Sequence, residues 1–160
     1  MDVRTSIGQD SHAFEEEGGK PLVLGGVVIP EAPGLKANSD GDVLLHALCN
    51  CISGITGVNV LGAIADEMCK SGVTDSAEYV KTALSYMPED FTISNVSFTI
   101  EAQRPKLARH IPDMKESIAG ILNISSDRVG ITATTGEGLT SFGQGLGIQV
   151  FGVMTVICNS

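Results

Sequence analysis

Asp10-Ser11-His12 lies in an extended, apolar-flanked segment near the start of the chain. Residues i and i+2 of a strand project to the same face, so a carboxylate and an imidazole converge there. A second imidazole, His46, falls on a stretch with helical spacing. Asp42 lies one turn before it and Asn50 one turn after, on a shared face. Asp10, His12 and His46 together would form a three-donor metal site with one open position, which is the composition of a catalytic zinc centre and not of a closed structural one. On spacing alone, His46 is equally a hydrogen-bonded helix residue, and an Asp-x-His pair is often only a surface pair.

Three further segments carry polar chemistry. Asn38-Ser39-Asp40-Gly41-Asp42 precedes the helix of His46, and its backbone N–H groups suit a phosphate oxygen or plain capping by Asp40. Ala133-Thr134-Thr135-Gly136-Glu137 leaves a strand for a glycine-rich loop. Its hydroxyls and amides suit phosphate, and Glu137 suits a Mg²⁺ ion that takes its other ligands from water and substrate. Glu101-Ala102-Gln103-Arg104-Pro105-Lys106-Leu107 leaves a strand through a proline turn and could present backbone groups to a flat base, or be a mere connection. Gly143-Gln144-Gly145-Leu146-Gly147 resembles a phosphate loop, but a strand follows it, which excludes a dinucleotide-binding turn.

The elements that must position these residues follow from hydrophobic period and punctuation. Strands are expected over Val3–Phe14, Phe91–Ile100, Val129–Thr135 and Ile148–Cys158, with a hairpin of Leu22–Leu24 and Val27–Ile29 about Gly25-Gly26. Helices are expected over Gly41–Thr56 with Asp40 as N-cap, from Asp75 to about Tyr86, and from Pro112 to about Leu122. Ala32–Ser39 reads as a mobile loop, and Gly57–Cys69 carries no clear period. The last strand is apolar on both faces, so a cover on each side is expected. The order implies an α+β fold with the helices on one sheet face and the other face in a subunit interface.

Composition bounds the rest. The chain has 160 residues, which suits one domain over 1–160. Charged residues are only 18%, against about 25% in typical soluble domains, which points to surface hidden in an oligomer. The net charge of −9 and 4% aromatic content exclude a nucleic-acid backbone binder. Mean hydropathy is +0.20, yet no apolar run is long enough to span a membrane. No basic, then apolar, leader is visible at the N-terminus, so a cytoplasmic protein is expected. Cys49, Cys51, Cys69 and Cys158 form no CxxC pair and read as reduced thiols.

Taken in order, several pieces of the chain resemble the 2-C-methyl-D-erythritol 2,4-cyclodiphosphate synthase family. They are Ile7-Gly8-Gln9-Asp10-Ser11-His12-Ala13-Phe14, Leu24-Gly25-Gly26-Val27, Ser39-Asp40-Gly41-Asp42-Val43-Leu44-Leu45-His46-Ala47-Leu48, Ala102-Gln103-Arg104-Pro105-Lys106-Leu107, His110-Ile111-Pro112 and Ala133-Thr134-Thr135-Gly136-Glu137-Gly138-Leu139. The resemblance implies a homotrimer of subunits with a ferredoxin-like sheet and active sites between neighbours. It implies Zn²⁺ at Asp10, His12 and His46, and Mg²⁺ or Mn²⁺ at Glu137 with substrate phosphates. It also implies cytidine recognition by Ala102, Pro105, Lys106 and Leu107, phosphate contacts by Ser39, Thr134 and Thr135, and Asn59 as the nearest group to a ribose. The implied reaction belongs to non-mevalonate isoprenoid synthesis. The 2-phosphate of 4-diphosphocytidyl-2-C-methyl-D-erythritol 2-phosphate attacks the β-phosphorus, and CMP leaves.

The chain departs from the family pattern at Asn38, Asn50, Asn59-Val60-Leu61-Gly62, Ala65-Asp66-Glu67, Gln144 and Leu146. Val60 stands where the family carries an aspartate against the ribose. Two alternatives therefore accompany the synthase reading. One is a divergent member that binds a cytidine nucleotide or an isoprenoid diphosphate with weak or no catalysis. The other is a trimeric interaction protein with a structural metal.

Overall fold

The computed structural model describes residues 1–159. The chain runs β1 (Asp2–Ala13), β2 (Pro21–Leu24), β3 (Val27–Pro33), α1 (Val43–Thr56), α2 (Ala63–Lys70), α3 (Ser76–Leu84), β4 (Phe91–Glu101), α4 (Ile111–Leu122), β5 (Val129–Thr134) and β6 (Gly147–Cys158). Strands β1, β6, β4 and β5 lie in that order in one mixed sheet, and β2 with β3 forms a separate hairpin. Strand β6 is antiparallel to both neighbours, whereas β4 and β5 are parallel and joined by the α4 crossover.

The α+β layering agrees with expectation, but the ferredoxin-like detail does not. A ferredoxin-like unit runs β-α-β-β-α-β. Here the sheet strands and helices run β-α-β-α-β-β, with one parallel pair. The long helical passage from β1 to β4 and the α4 crossover place both on the same side of the sheet, and β6 then fills the gap between β1 and β4.

Alternation along β1 decides what α1 meets. Ser6, Gly8, Asp10 and His12 point toward the helix layer, while Val3, Thr5, Ile7 and Gln9 point away. Gly8 pairs in register with Gly152 of β6. A Cβ at Gly8 would stand 2.3 Å from the Ala47 carbonyl oxygen and 2.5 Å from the Cys51 nitrogen. The absence of a side chain there lets α1 press against the sheet and brings His46 over Asp10 and His12. Leu44, Leu48 and Ile52 of α1 then pack with Phe98, Ile100, Val150, Met154, Met114 and Ile118 in one core.

Helix α1 is capped by Asp42, not by Asp40. The Asp42 carboxylate accepts Leu45 N at 3.0 Å, as an N-cap does, and also Gly25 N at 2.8 Å and Gly26 N at 2.7 Å. The left-handed φ of Gly25 (60°) and Gly26 (79°) aims both N–H groups at one carboxylate. The hairpin is thereby clamped to the helix that carries His46. Burial pushes the Asp42 carboxyl up to about 6, against the pull of these three N–H donors.

The expected loop over Ala32–Ser39 begins inside β3 and is then tied down. Leu35 bridges to Phe14, and Lys20 Nζ donates to the carbonyls of Ala37 (3.0 Å) and Ser39 (2.8 Å). The uncertain Gly57–Cys69 segment contains α2. Only Ala65 of that helix is buried, so the sequence shows no apolar stripe. Asp75, where the helix is expected to begin, is the N-cap of α3, and Pro112 falls in the first turn of α4, which begins at Ile111.

The final strand is covered on one face within the chain. On the other face Val153 is 42% and Phe151 37% exposed, beside Ile7 (66%) and Val3 (56%) of β1. No helix among the described residues is long and apolar enough to cross a membrane.

Candidate active site

Three donors from two elements meet at one end of the sheet. Asp10 Oδ2 lies 2.8 Å from His12 Nε2 and 2.9 Å from His46 Nδ1, and the two imidazole nitrogens are 3.2 Å apart. A tetrahedral ion with bonds of about 2.0–2.1 Å has ligand–ligand edges of roughly 3.3 Å, so this triangle fits one small divalent cation with little movement. The donor set of two imidazoles and one carboxylate suits zinc. His46 is 7% exposed, whereas Asp10 and His12 are partly open. All three line a cavity of about 350 Å³.

The trio's electrostatics follow from that geometry. Burial alone would raise the Asp10 carboxyl, but hydrogen bonds from His12 and His46 overrule it and bring it down to about 2. His12 is displaced upward by its bond to Asp10, against a smaller effect of burial. A carboxylate that stays ionised through the acid range is the form a metal needs.

Behind the trio lies an ordered polar layer. His46 Nε2 is 2.8 Å from Ser76 Oγ, and the Ser76 hydroxyl donates to Asp40 Oδ1 at 2.5 Å. Asp40 also accepts Ser76 N and Asp42 N, each at 3.0 Å. Ser39 Oγ accepts Gly41 N at 3.2 Å and stands 3.4 Å from His46 Nε2. Asp40 therefore ties the start of α3 to the approach of α1, instead of capping α1 or offering its loop amides to phosphate.

The cavity wall beyond the trio is formed by Asn38, Ser39, Leu61, Asp66, Cys69 and Tyr79, among others. Of the residues named from sequence, Ser39 is brought to the metal trio. Asn59 is exposed and does not line this cavity, and Val60 is fully buried in the core. Ser76 and Tyr79 carry no signal in the sequence, and Cys69 and Asp66 stand out there only as a reduced thiol and as part of a departure from the family pattern. Their contacts with the site are tertiary, and no local spacing marks them. Cys49 and Cys51 are buried thiols pushed up to about 12, which makes them inert packing.

The threonine–glutamate loop is built at the same end of the sheet but beyond its opposite edge strand, β5. Thr134 ends β5 opposite Glu101. The loop is pinned by Thr140 donating to the Glu101 carboxylate and by Gln103 N on Phe142 O at 3.0 Å. Glu137 adopts φ 54° between two glycines of positive φ. Strand β5 is three strand spacings from β1, on the order of 14 Å. Thr134, Thr135 and Glu137 are exposed and do not line the cavity at Asp10. Within one chain the trio and this loop thus lie apart. The segment from Ala102 to Leu107 buries Ala102, Pro105 and Leu107 and leaves Lys106 exposed, beside Glu31 and Arg109.

An α+β scaffold with a three-donor, open-sided metal site over a cavity defines a metal-dependent enzyme of small molecules. Comparison with known proteins narrows this. The family model described as the YgbB family matches residues 3–157. A 2-C-methyl-D-erythritol 2,4-cyclodiphosphate synthase from Chlamydia muridarum is 53% identical over 156 residues, covering 96% of this chain and 88% of that protein. The synthase from Chlamydia felis is 49% identical over the same length, covering 96% and 89%. Among solved structures, the bifunctional IspDF of Campylobacter jejuni superposes with a TM-score of 0.87 at 33% identity, over 97% of this chain and 42% of that one. IspF of Plasmodium falciparum, in a CDP complex, gives 0.82 at 27% identity, over 99% and 97%. The chain belongs to the YgbB family.

Proposed function

We infer that this chain is a 2-C-methyl-D-erythritol 2,4-cyclodiphosphate synthase, converting 4-diphosphocytidyl-2-C-methyl-D-erythritol 2-phosphate to the cyclic diphosphate and CMP. The observation that carries the reading is the convergence of Asp10, His12 and His46 on one point beside an open cavity, in a chain that shares half its residues with named synthases.

The physical task is to fold a flexible polyanion so that attacking and leaving oxygens are in line on the β-phosphorus. One bond forms between a 2-phosphate oxygen and that phosphorus, and its bond to the bridging oxygen of CMP breaks. The attacking phosphate is already ionised, so no general base is needed. A chain of net charge −9 repels such a substrate unless cations stand at the site. Asp10, His12 and His46 would hold a zinc ion, which when bound would supply Lewis-acid neutralisation of phosphate oxygens, and Glu137 would offer its carboxylate to a second ion, Mg²⁺ or Mn²⁺. Ser39, Thr134 and Thr135 donate hydroxyl hydrogen bonds to phosphate oxygens. The buried side chains of Ala102, Pro105 and Leu107 leave their backbone groups to read the cytosine, with Lys106 at the rim. The CDP complex of the Plasmodium falciparum relative supports a cytidine diphosphate ligand.

Assembly follows from the separation of the half-sites. The trio and the Thr134–Glu137 loop stand at strands three spacings apart within a chain, on the order of 14 Å, too far to share one β-phosphate. Packing of copies through the exposed face of Val3, Ile7, Phe151 and Val153 into a homotrimer would bring the loop of one chain to the trio of the next. The chain acts as a single domain in a cytoplasmic enzyme with no nucleic-acid or membrane partner. The single-domain reading is supported by the one hydrophobic core and by the family match over residues 3–157.

Val60 favours weakened ribose binding. An aspartate-to-valine change removes a charge-assisted hydrogen bond of about 1.5–3 kcal/mol, or one to two decades of affinity. Stripping the protein with a chelator should abolish CMP release, and zinc with Mg²⁺ should restore it. CMP release that survives both stripping and His46→Ala would overturn the reading.

A further inference from the structure

We propose that Glu101 is a positioning residue. By accepting the Thr140 hydroxyl, it holds the Thr134–Glu137 loop in register with the segment from Ala102 to Leu107. The inference rests on the proposed reading of that loop as the holder of phosphate and of that segment as the reader of cytosine. It goes beyond that reading by naming the side chain that joins the two.

Glu101 is the last residue of β4, opposite Thr134 of β5 and Gln149 of β6. Two backbone bonds stitch the loop to the residues that follow it. Ala102 N donates to Thr134 O and Gln103 N to Phe142 O, each at 3.0 Å. The Glu101 carboxylate adds a third tie, between them. A carboxylate only accepts, so the Thr140 hydroxyl gives its hydrogen to Glu101. The lone pairs of Thr140 Oγ1 then remain for Gly143 N at 3.0 Å. One hydroxyl thus bonds outward to the end of β4 and inward across the loop.

The loop is drawn tightly over this anchor. A Cβ at Gly136 would stand 2.9 Å from Glu101 Oε1 and 2.8 Å from Gly143 Cα. Leu139 N closes a turn on Gly136 O at 3.0 Å. Its two central residues, Glu137 (φ 54°) and Gly138 (φ 73°), are both left-handed, as a type I′ turn requires. Glycine adopts that conformation freely, whereas a glutamate persists in it only where the surrounding contacts impose it. Glu101 supplies such a contact from the end of a sheet strand, outside the loop itself. The backbone that carries Glu137 is therefore set from the same strand end that launches the base-reading segment. A ligand with both a cytosine and a diphosphate meets the two parts already arranged, which lowers the ordering cost of binding.

The test uses the full-length, zinc-loaded protein, with CDP and Mg²⁺ as the probe in calorimetry. Glu101→Leu and Thr140→Val each delete the anchor and should weaken CDP binding about 10-fold. The double variant should bind no more weakly than either single one, since the same bond is lost in all three. Glu101→Gln keeps an oxygen that accepts the hydroxyl and should stay within about 3-fold of the wild type. The bond holds a loop and not the core, so zinc affinity and thermal midpoint should match the wild type in every variant. Variants with wild-type CDP affinity, or losses that add in the double variant, would overturn the proposal. So would a fall in zinc affinity and thermal midpoint in step with CDP, the mark of a merely structural bond. A wild type that takes up zinc yet binds no CDP would overturn the nucleotide reading, and this inference with it.

Discussion

Two imidazoles and a carboxylate within 2.8–3.2 Å of one another make a site for which protons and a metal ion compete. In the metal-free protein Asp10, at about 2, lies below its ordinary 3.8. Its contribution to stability is therefore present above about pH 4 and lost as pH falls toward 2. His12 is displaced above its ordinary 6.5, so its contribution is full below that pH and lost as pH rises through the displaced value. Both are present between about pH 4 and 6.5. Thermal melts of metal-free wild type and Asp10→Asn should differ most in that window and converge on either side. A difference that does not vary with pH would contradict the pairing. With zinc, Asp10→Asn should lower affinity by more than about 100-fold, since it removes a ligand rather than a ligand's support. At this scale the sequence was informative where chemistry is local. Asp10 and His12 are two apart on a strand, and their convergence follows from its period. Ser76 was invisible, because it meets His46 only through the packing of α3 on α1.

Helix α1 presents His46 because two devices hold its first turns. Asp42 satisfies Gly25 N, Gly26 N and Leu45 N, and Asp42→Ala would strand three donors, of which those of Gly25 and Leu45 are buried. A loss of about 2–4 kcal/mol in chemical denaturation is expected, with zinc affinity falling alongside. Gly8→Ala should do comparable damage by another route. Its methyl would collide with α1 backbone at Ala47 and Cys51, neither of which is a flexible side-chain end. A cost of about 1–3 kcal/mol and a displaced His46 are expected, read as lower stability and weaker zinc binding. The helices with an apolar stripe were legible in sequence, as were all four sheet strands. The N-cap of α1 was misassigned because Asp40 and Asp42 are both chemically fit to cap, and only the hairpin's position chooses between them. Helix α2 escaped because burial of one alanine leaves no periodic signal.

The whole molecule carries a sheet with one face open. Val3, Ile7, Phe151 and Val153 are apolar and exposed on it. In the proposed trimer Val153→Glu should shift the mass in light scattering from three times 16.7 kDa toward the single-chain value, while the unmutated protein stays trimeric. Separation of the half-sites makes a sharper prediction. Chains with Asp10→Asn and chains with Glu137→Gln should each be inactive alone, yet regain about a quarter of the sites when co-refolded, since a mixed trimer joins one intact trio to one intact loop. Absence of recovery would contradict active sites shared between chains. The α+β layering was legible from element order. The strand order was not, because β6 inserts between β1 and β4 through contacts that lie far apart in sequence.

The central claim is an intramolecular phosphoryl transfer, and phosphorus NMR of the reaction run in ¹⁸O-labelled water tests it most directly. The account predicts CMP and a cyclic diphosphate in equal amounts, neither carrying ¹⁸O, because the attacking oxygen belongs to the substrate's own phosphate. Label entering either product, or no CMP from zinc- and Mg²⁺-loaded protein, would contradict it.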